Sequence, residues 1–253
     1  MKAYGQRELK KGDAGEDVVE LQIRLAGFRG TIPDGKFGPG TELQVVKFQH
    51  DYMNQMYPSG IVDQKTFDAI TQFARNYPFD FEALKCPCGM CGGFGEKRFK
   101  DYYEPGRPRT EASHRYEYPG IHRMLLWAVR GLFHYTPALK YVITSGYRCS
   151  IDNQNKKRTS TNHHGKAIDL DVILTRDRIS KRDEMDCIEQ IRGLLVTQAN
   201  AQIGWAGRNR KSLEPSSIAP TWIHYDVRTY ETTYLADRFF CKSLKELDGN
   251  EGE

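Results

Sequence analysis

The chain has 253 residues, of which 39% are hydrophobic and 28% charged, a balance that excludes a wholly disordered, collagen-like or coiled-coil chain and leaves room for two domains. With 37 basic and 33 acidic residues the net charge is +4, which suits an anionic polymer but is too small to point to nucleic acid as a partner. The richest apolar stretch, 121–133, is broken by His122, Arg123 and Arg130, so no membrane insertion is expected, and residues 1–7 lack the apolar run of a secretory leader, which predicts a cytoplasmic start.

Residues 9–74 predict three short helices separated by glycine-rich turns. Asp13 is placed to cap the first, in which Val18, Val19, Leu21, Ile23 and Leu25 fall largely on one face. The turn formers of 33–40 follow, with Thr41 expected to cap a second helix. Asp63, after a second turn, is expected to cap a third helix carrying Phe67, Ile70 and Phe73. Residues 76–110 read as a linker and Cys-rich segment. Beyond it, 119–133 predicts a core helix and 182–199 another, while 141–144, 167–173 and 222–227 read as strands. The expected class is therefore α+β: an all-α domain over 1–75, the linker over 76–110, and a domain over 111–253 with a small antiparallel sheet.

The first segment resembles the peptidoglycan-binding three-helix module of cell-wall hydrolases. The resemblance rests on Gly12, Gly15, Val18, Leu21-Gln22, Asp34-Gly35, Phe37-Gly38, Thr41, Val45, Phe48-Gln49, Gly60, Val62-Asp63 and Thr66. It implies bacterial peptidoglycan as the partner.

The metal-ligand candidates of the second segment cluster on or beside its strands: His163 and His164 before one, Asp169 and Asp171 within it, His224 in the next. Two imidazoles and one carboxylate meet the ligand count of a catalytic zinc, which leaves one position for water. Asp169 and Asp171 share a strand face, so spacing alone does not choose between them.

In order, Ser145-Gly146-Tyr147-Arg148, the run 160–169 and Trp222-Ile223-His224-Tyr225-Asp226-Val227-Arg228 resemble zinc peptidases of the D-alanyl-D-alanine carboxypeptidase and VanX type, a family that includes bacteriophage endolysins. The resemblance implies zinc on His163, Asp169 and His224, substrate contacts from Ser145 and Tyr147, and an Arg148 that meets a substrate carboxylate or the oxyanion. Two positions depart from the family. Asn162 stands where its first histidine would be, which leaves His163, with His164 as the alternative; the family's phase from Gly165 selects Asp169 over Asp171. Thr221 stands where many relatives carry the general base, so Asp226, or Glu214 in the preceding loop, is expected to move the proton.

Cys86, Cys88 and Cys91 could hold a second, structural zinc with Cys149 or a histidine as fourth ligand. The basic run 156–158 reads as a solvated loop that could also meet an anionic glycan. Together these features predict a monomeric modular endolysin, held in the host cytoplasm until lysis and then acting as a bacteriolytic, antimicrobial metallopeptidase at the periplasm or cell wall. The alternatives are a non-catalytic wall-binding protein with a degenerate peptidase fold, and an N-acetylmuramoyl-L-alanine amidase.

Overall fold

A computed structural model describes residues 3–96, 116–158, 160, 162–173, 180–206 and 209–249. The segment expected as linker over 76–110, together with the start of the domain over 111–253, lies from 97 to 115 outside the described residues. So does Thr161 in the run 160–169. In chain order the helices and strands are α1 (Glu16–Arg24), α2 (Pro39–Asp51), α3 (Gln64–Asn76), α4 (Phe81–Leu84), β1 (Ile121–His122), α5 (Arg123–Tyr135), β2 (Lys140–Ser145) and α6 (Ser150–Asn155). They continue with β3 (Ala167–Ile173), α7 (Lys181–Ala199), β4 (Trp205–Ala206), β5 (Asn209–Arg210), β6 (Ile223–Asp226), β7 (Phe240–Cys241) and α8 (Leu244–Asp248). The fold is α+β, and no described helix is long and apolar enough to cross a membrane.

The chain forms two compact units. The first comprises Met1–Pro78, Leu126–Ala138 and Gln190–Gln202; the second comprises Phe79–Leu125, Leu139–Glu189 and Ile203–Glu253. The two added segments of the first unit lie inside the 111–253 range of the sequence-based division. Aromatic packing explains the first of them: Phe28 meets Phe48 and Phe73 edge-on at 5.0 and 5.3 Å, and Phe28 and Phe73 also meet Tyr135 and Trp127 at 5.7 and 6.2 Å. The second is tied in by the Gly30 amide, which donates to the Gln198 carbonyl at 2.9 Å.

Within the first unit the three helices are tied to their turns by two buried glutamines that do the same work. Gln22 of α1 donates to Asp34 Oδ1 and Thr41 Oγ1, both at 2.9 Å, and accepts from the Gly35 amide at 2.9 Å. Gln49 of α2 donates to the Ile61 carbonyl at 2.7 Å and to Thr66 Oγ1 at 3.2 Å, and accepts from the Gly60 amide at 3.0 Å. Thr41 therefore serves the turn, and α2 has Gly38 as its N-cap with Pro39 as its first residue, where the missing N–H costs nothing. Asp63 caps α3 as expected, accepting from the Thr66 amide at 2.9 Å. Asp13 does not cap α1; it accepts from Arg7 and from the Lys10 amide instead. Gln22→Ala would leave the buried Gly35 amide without its acceptor. It is expected to cost about 1–3 kcal/mol and to lower the urea midpoint of the first unit, read by circular dichroism; an unchanged midpoint would show that the turn stands without the glutamine.

The second unit is organised by an antiparallel sheet in the order β2-β3-β6. A register irregularity between Ile143 and Ser145 sets Ser145 opposite Asp169, and Asp169 on the central strand is opposite His224. Ser145, Asp169 and His224 thus form one row across three strands. The row extends further, because Leu213 bridges Tyr225 and Ser212 accepts from the Asp226 amide, which brings Glu214 alongside His224. The helix expected from 119 starts at Arg123; Ile121 and His122 pair with Cys241 and Phe240 in β1-β7 instead.

Candidate metal centre

His163 approaches the row from the loop before β3. Its ring is fully buried, and Nδ1 lies 2.9 Å from the Gly146 carbonyl. A carbonyl only accepts, so the Nδ1 proton is fixed there and Nε2 carries a lone pair. Among the described residues this Nε2 makes no hydrogen bond, yet it lies 3.3 Å from Asp169 Oδ2. Burial lowers the pKa of His163, which keeps the ring neutral, while Asp169 is a carboxylate: burial would raise its pKa, but the two histidines hold it well below the usual range. A lone pair and an anion therefore face each other in a buried place, an arrangement that a cation between them would satisfy.

His224 closes the group. Its Nδ1 is 2.7 Å from Asp169 Oδ1, and its Nε2 is 2.9 Å from Asp226 Oδ2. Burial lowers its pKa, but the two carboxylates more than compensate and bring it to about 9. One donor atom each from His163, Asp169 and His224 lies within 4.8 Å of the other two, and N,N,O donors on a divalent ion of zinc's size fit that separation.

The residues left open by the sequence part company here. His164 is buried but turned to Asn153, whose amide lies 3.2 Å from its Nε2. Asp171, two residues along β3, lines the cleft beside the group without joining it. The two oxygens of Asp226 are both engaged: Oδ2 faces His224 and the Arg228 guanidinium, and Oδ1 accepts from the Arg228 amide at 2.9 Å. They lie on the side of His224 away from Asp169. Glu214 is buried, and burial raises its pKa, against the pull of His224. Arg228, in the turn after β6, carries no role in the sequence reading; its place two residues after Asp226 is the signal that could have found the pair.

The Ser145–Arg148 turn is held by backbone bonds from Tyr147 N to the Leu84 carbonyl and from Arg148 N to the His163 carbonyl, each 2.8 Å. Gly146 sits so close to Leu84 that a Cβ would come within 2.4 Å of its carbonyl oxygen, so only glycine fits. Ser145 Oγ is 3.4 Å from His163 Nδ1. Tyr147, expected to touch substrate, has its whole side chain buried against Phe94 with its hydroxyl shut away from solvent. It packs the turn with its hydroxyl buried, and the residue is among those that line the cleft beside the group. Arg148 reaches toward the group, with Nη2 3.9 Å from Asp169 Oδ2.

A cleft of about 420 Å³ opens beside these residues, lined among others by Ser145, Arg148, Lys156, Arg158, Asp169 and Trp222. Its four cationic residues, Lys85, Arg148, Lys156 and Arg158, suit a ligand that carries carboxylates. The basic run 156–158 thus contributes two of its side chains to the cleft.

Comparison with known proteins gives likenesses to a domain family and to individual proteins, among them two enzymes. The family described as "Putative peptidoglycan binding domain" matches residues 14–70. A zinc D-Ala-D-Ala carboxypeptidase from Streptomyces albus G is 28% identical over 173 residues, 64% of this chain and 60% of that protein. A spore cortex-lytic enzyme from Oceanobacillus iheyensis is 36% identical over 81 residues, 31% of this chain and 28% of that protein. The matches thus cover less than two thirds of the length of either relative.

Proposed function

We propose that this chain is a peptidoglycan hydrolase whose first unit binds the wall and whose second cleaves an amide of the stem peptide with zinc held by His163 Nε2, Asp169 and His224 Nδ1. The single observation that carries this reading is the buried, unpaired Nε2 of His163 facing the Asp169 carboxylate. Likeness to a zinc D-Ala-D-Ala carboxypeptidase and a match to a peptidoglycan-binding family support the substrate class. Zinc, when bound, supplies Lewis acidity that polarises the scissile carbonyl and acidifies a water.

The chain's own groups do the rest. The Gly146 carbonyl fixes the His163 tautomer, and Asp226, itself held by Arg228, accepts from His224 Nε2 and orients that ring. Glu214, beside His224 in the sheet register and with its pKa raised by burial, takes the proton of the attacking water on a carboxylate oxygen and returns it to the leaving nitrogen. Arg148 holds the developing oxyanion or a substrate carboxylate. Attachment through the first unit raises the local concentration of enzyme on an insoluble polymer.

Digestion of defined muropeptides, with products identified by mass, tests the reading. New amino termini within the stem peptide are expected, and the masses name the bond, whether L-Ala-D-Glu or a D,D bond. Co-sedimentation with sacculi without any product would make the chain a non-catalytic wall binder, and free muramoyl lactate ends would make it an amidase. An endolysin role extends the same proposal and predicts falling turbidity of sacculi treated with the chain.

A further inference from the structure

We infer that Cys86, Cys88, Cys91 and Cys149 form a tetrathiolate site for one structural zinc. Their four sulfurs all lie within 4.8 Å of one another. Cys88 Sγ is 3.5 Å from Cys91 Sγ and 3.6 Å from Cys149 Sγ. A disulfide brings its sulfurs to about 2.05 Å, whereas zinc–sulfur bonds of about 2.3 Å in a tetrahedron set the sulfurs roughly 3.8 Å apart. The observed separations are those of ligand edges, and none of the four is in a disulfide.

Backbone amides point at the sulfurs as they would at thiolates. Met90 N lies 3.3 Å from Cys88 Sγ, Cys149 N lies 3.3 Å from Cys86 Sγ, and Asp152 N lies 3.4 Å from Cys149 Sγ. Such N–H groups stabilise negative sulfur and orient it toward a metal. The chain is shaped for the purpose: Gly89 and Gly93 take left-handed φ of 67° and 91°, and the Cys86 amide donates to the Gly93 carbonyl at 2.7 Å, so the segment doubles back and three cysteines converge. Cys149 comes from the turn after β2, at the N-cap of α6. Cys187 and Cys241 take no part.

Four soft thiolates select zinc or iron over calcium and magnesium, and the metal would knit residues 86–91 to the turn after β2, where regular structure is sparse. The thiolate site stands apart from the His163 group and shares no ligand with it.

The test is metal content of the purified full chain by plasma mass spectrometry. About two zinc per chain are expected in the wild type, about one in Cys88→Ser/Cys91→Ser, and about one in His224→Ala. Because the double variant could misfold, cobalt loaded into wild-type protein gives a second reading: a near-ultraviolet thiolate-to-cobalt charge-transfer band is expected, and a mercurial thiol reagent should abolish it while releasing the ion. Wild-type protein that gives up no metal to that reagent, or cobalt protein without the band, would overturn the site, the ion on His163, Asp169 and His224 being retained in either case; iron instead of zinc would overturn the choice of metal. If His224→Ala keeps the same metal content as wild type while the thiolate band is present, the catalytic reading fails and this one stands.

Discussion

His224→Ala is expected to lower kcat/KM on a defined muropeptide by at least about 10³-fold while the chain still sediments with sacculi. Removal of Nδ1 leaves two protein donors for the ion, and the several kcal/mol of charge stabilisation that a metal supplies at a scissile carbonyl, about 4 kcal/mol for a thousandfold, goes with it. The substitution also leaves Asp169 and Asp226 buried without the imidazole that separates them, so some stability is lost as well. Retained wall binding separates the two effects, because the residues matched to the peptidoglycan-binding family, 14–70, lie in the other unit. Cleavage that persists in His224→Ala and in the presence of a chelator would remove the metal mechanism.

Glu214→Gln is expected to lower kcat by about 10²–10⁴-fold with zinc content and KM little changed, the signature of a lost proton shuttle. The amide keeps the shape of the side chain and gives up only its basicity. Asp226→Asn should act differently, weakening zinc about 10–100-fold, seen as activity that fails at lower chelator concentration, because the carboxylate that orients His224 is gone. Opposite outcomes, with Asp226→Asn keeping its metal and losing kcat while Glu214→Gln is silent, would return the proton transfer to Asp226.

The sequence motifs located the three strands and the metal-ligand candidates but left side-chain direction open. Strand parity allowed Asp169 and Asp171 equally; the choice comes from the register, which sets Asp169 between Ser145 and His224. Adjacent loop histidines have no parity at all, and it is the Gly146 carbonyl, seventeen positions away in the chain, that turns His163 inward while Asn153 takes His164. Glu214 belongs to no motif and enters the sequence reading only as the alternative to Asp226; its place beside His224 comes from the pairing of Leu213 with Tyr225. Asp63 was legible as a cap because its acceptor serves an amide three residues on, whereas Asp13 is drawn off by Arg7, a competition that local pattern does not encode. Apolar periodicity gave the helices α5 and α7 but not the core that each half of them fills.

The claim on which the mechanism rests is that His163, Asp169 and His224 share one metal ion. Crystals of zinc-loaded protein, with data collected on either side of the zinc absorption edge, test it most directly. The account predicts an anomalous peak about 2.0–2.2 Å from His163 Nε2, His224 Nδ1 and an Asp169 carboxylate oxygen; fully loaded protein whose anomalous density lies only among the cysteines would contradict it.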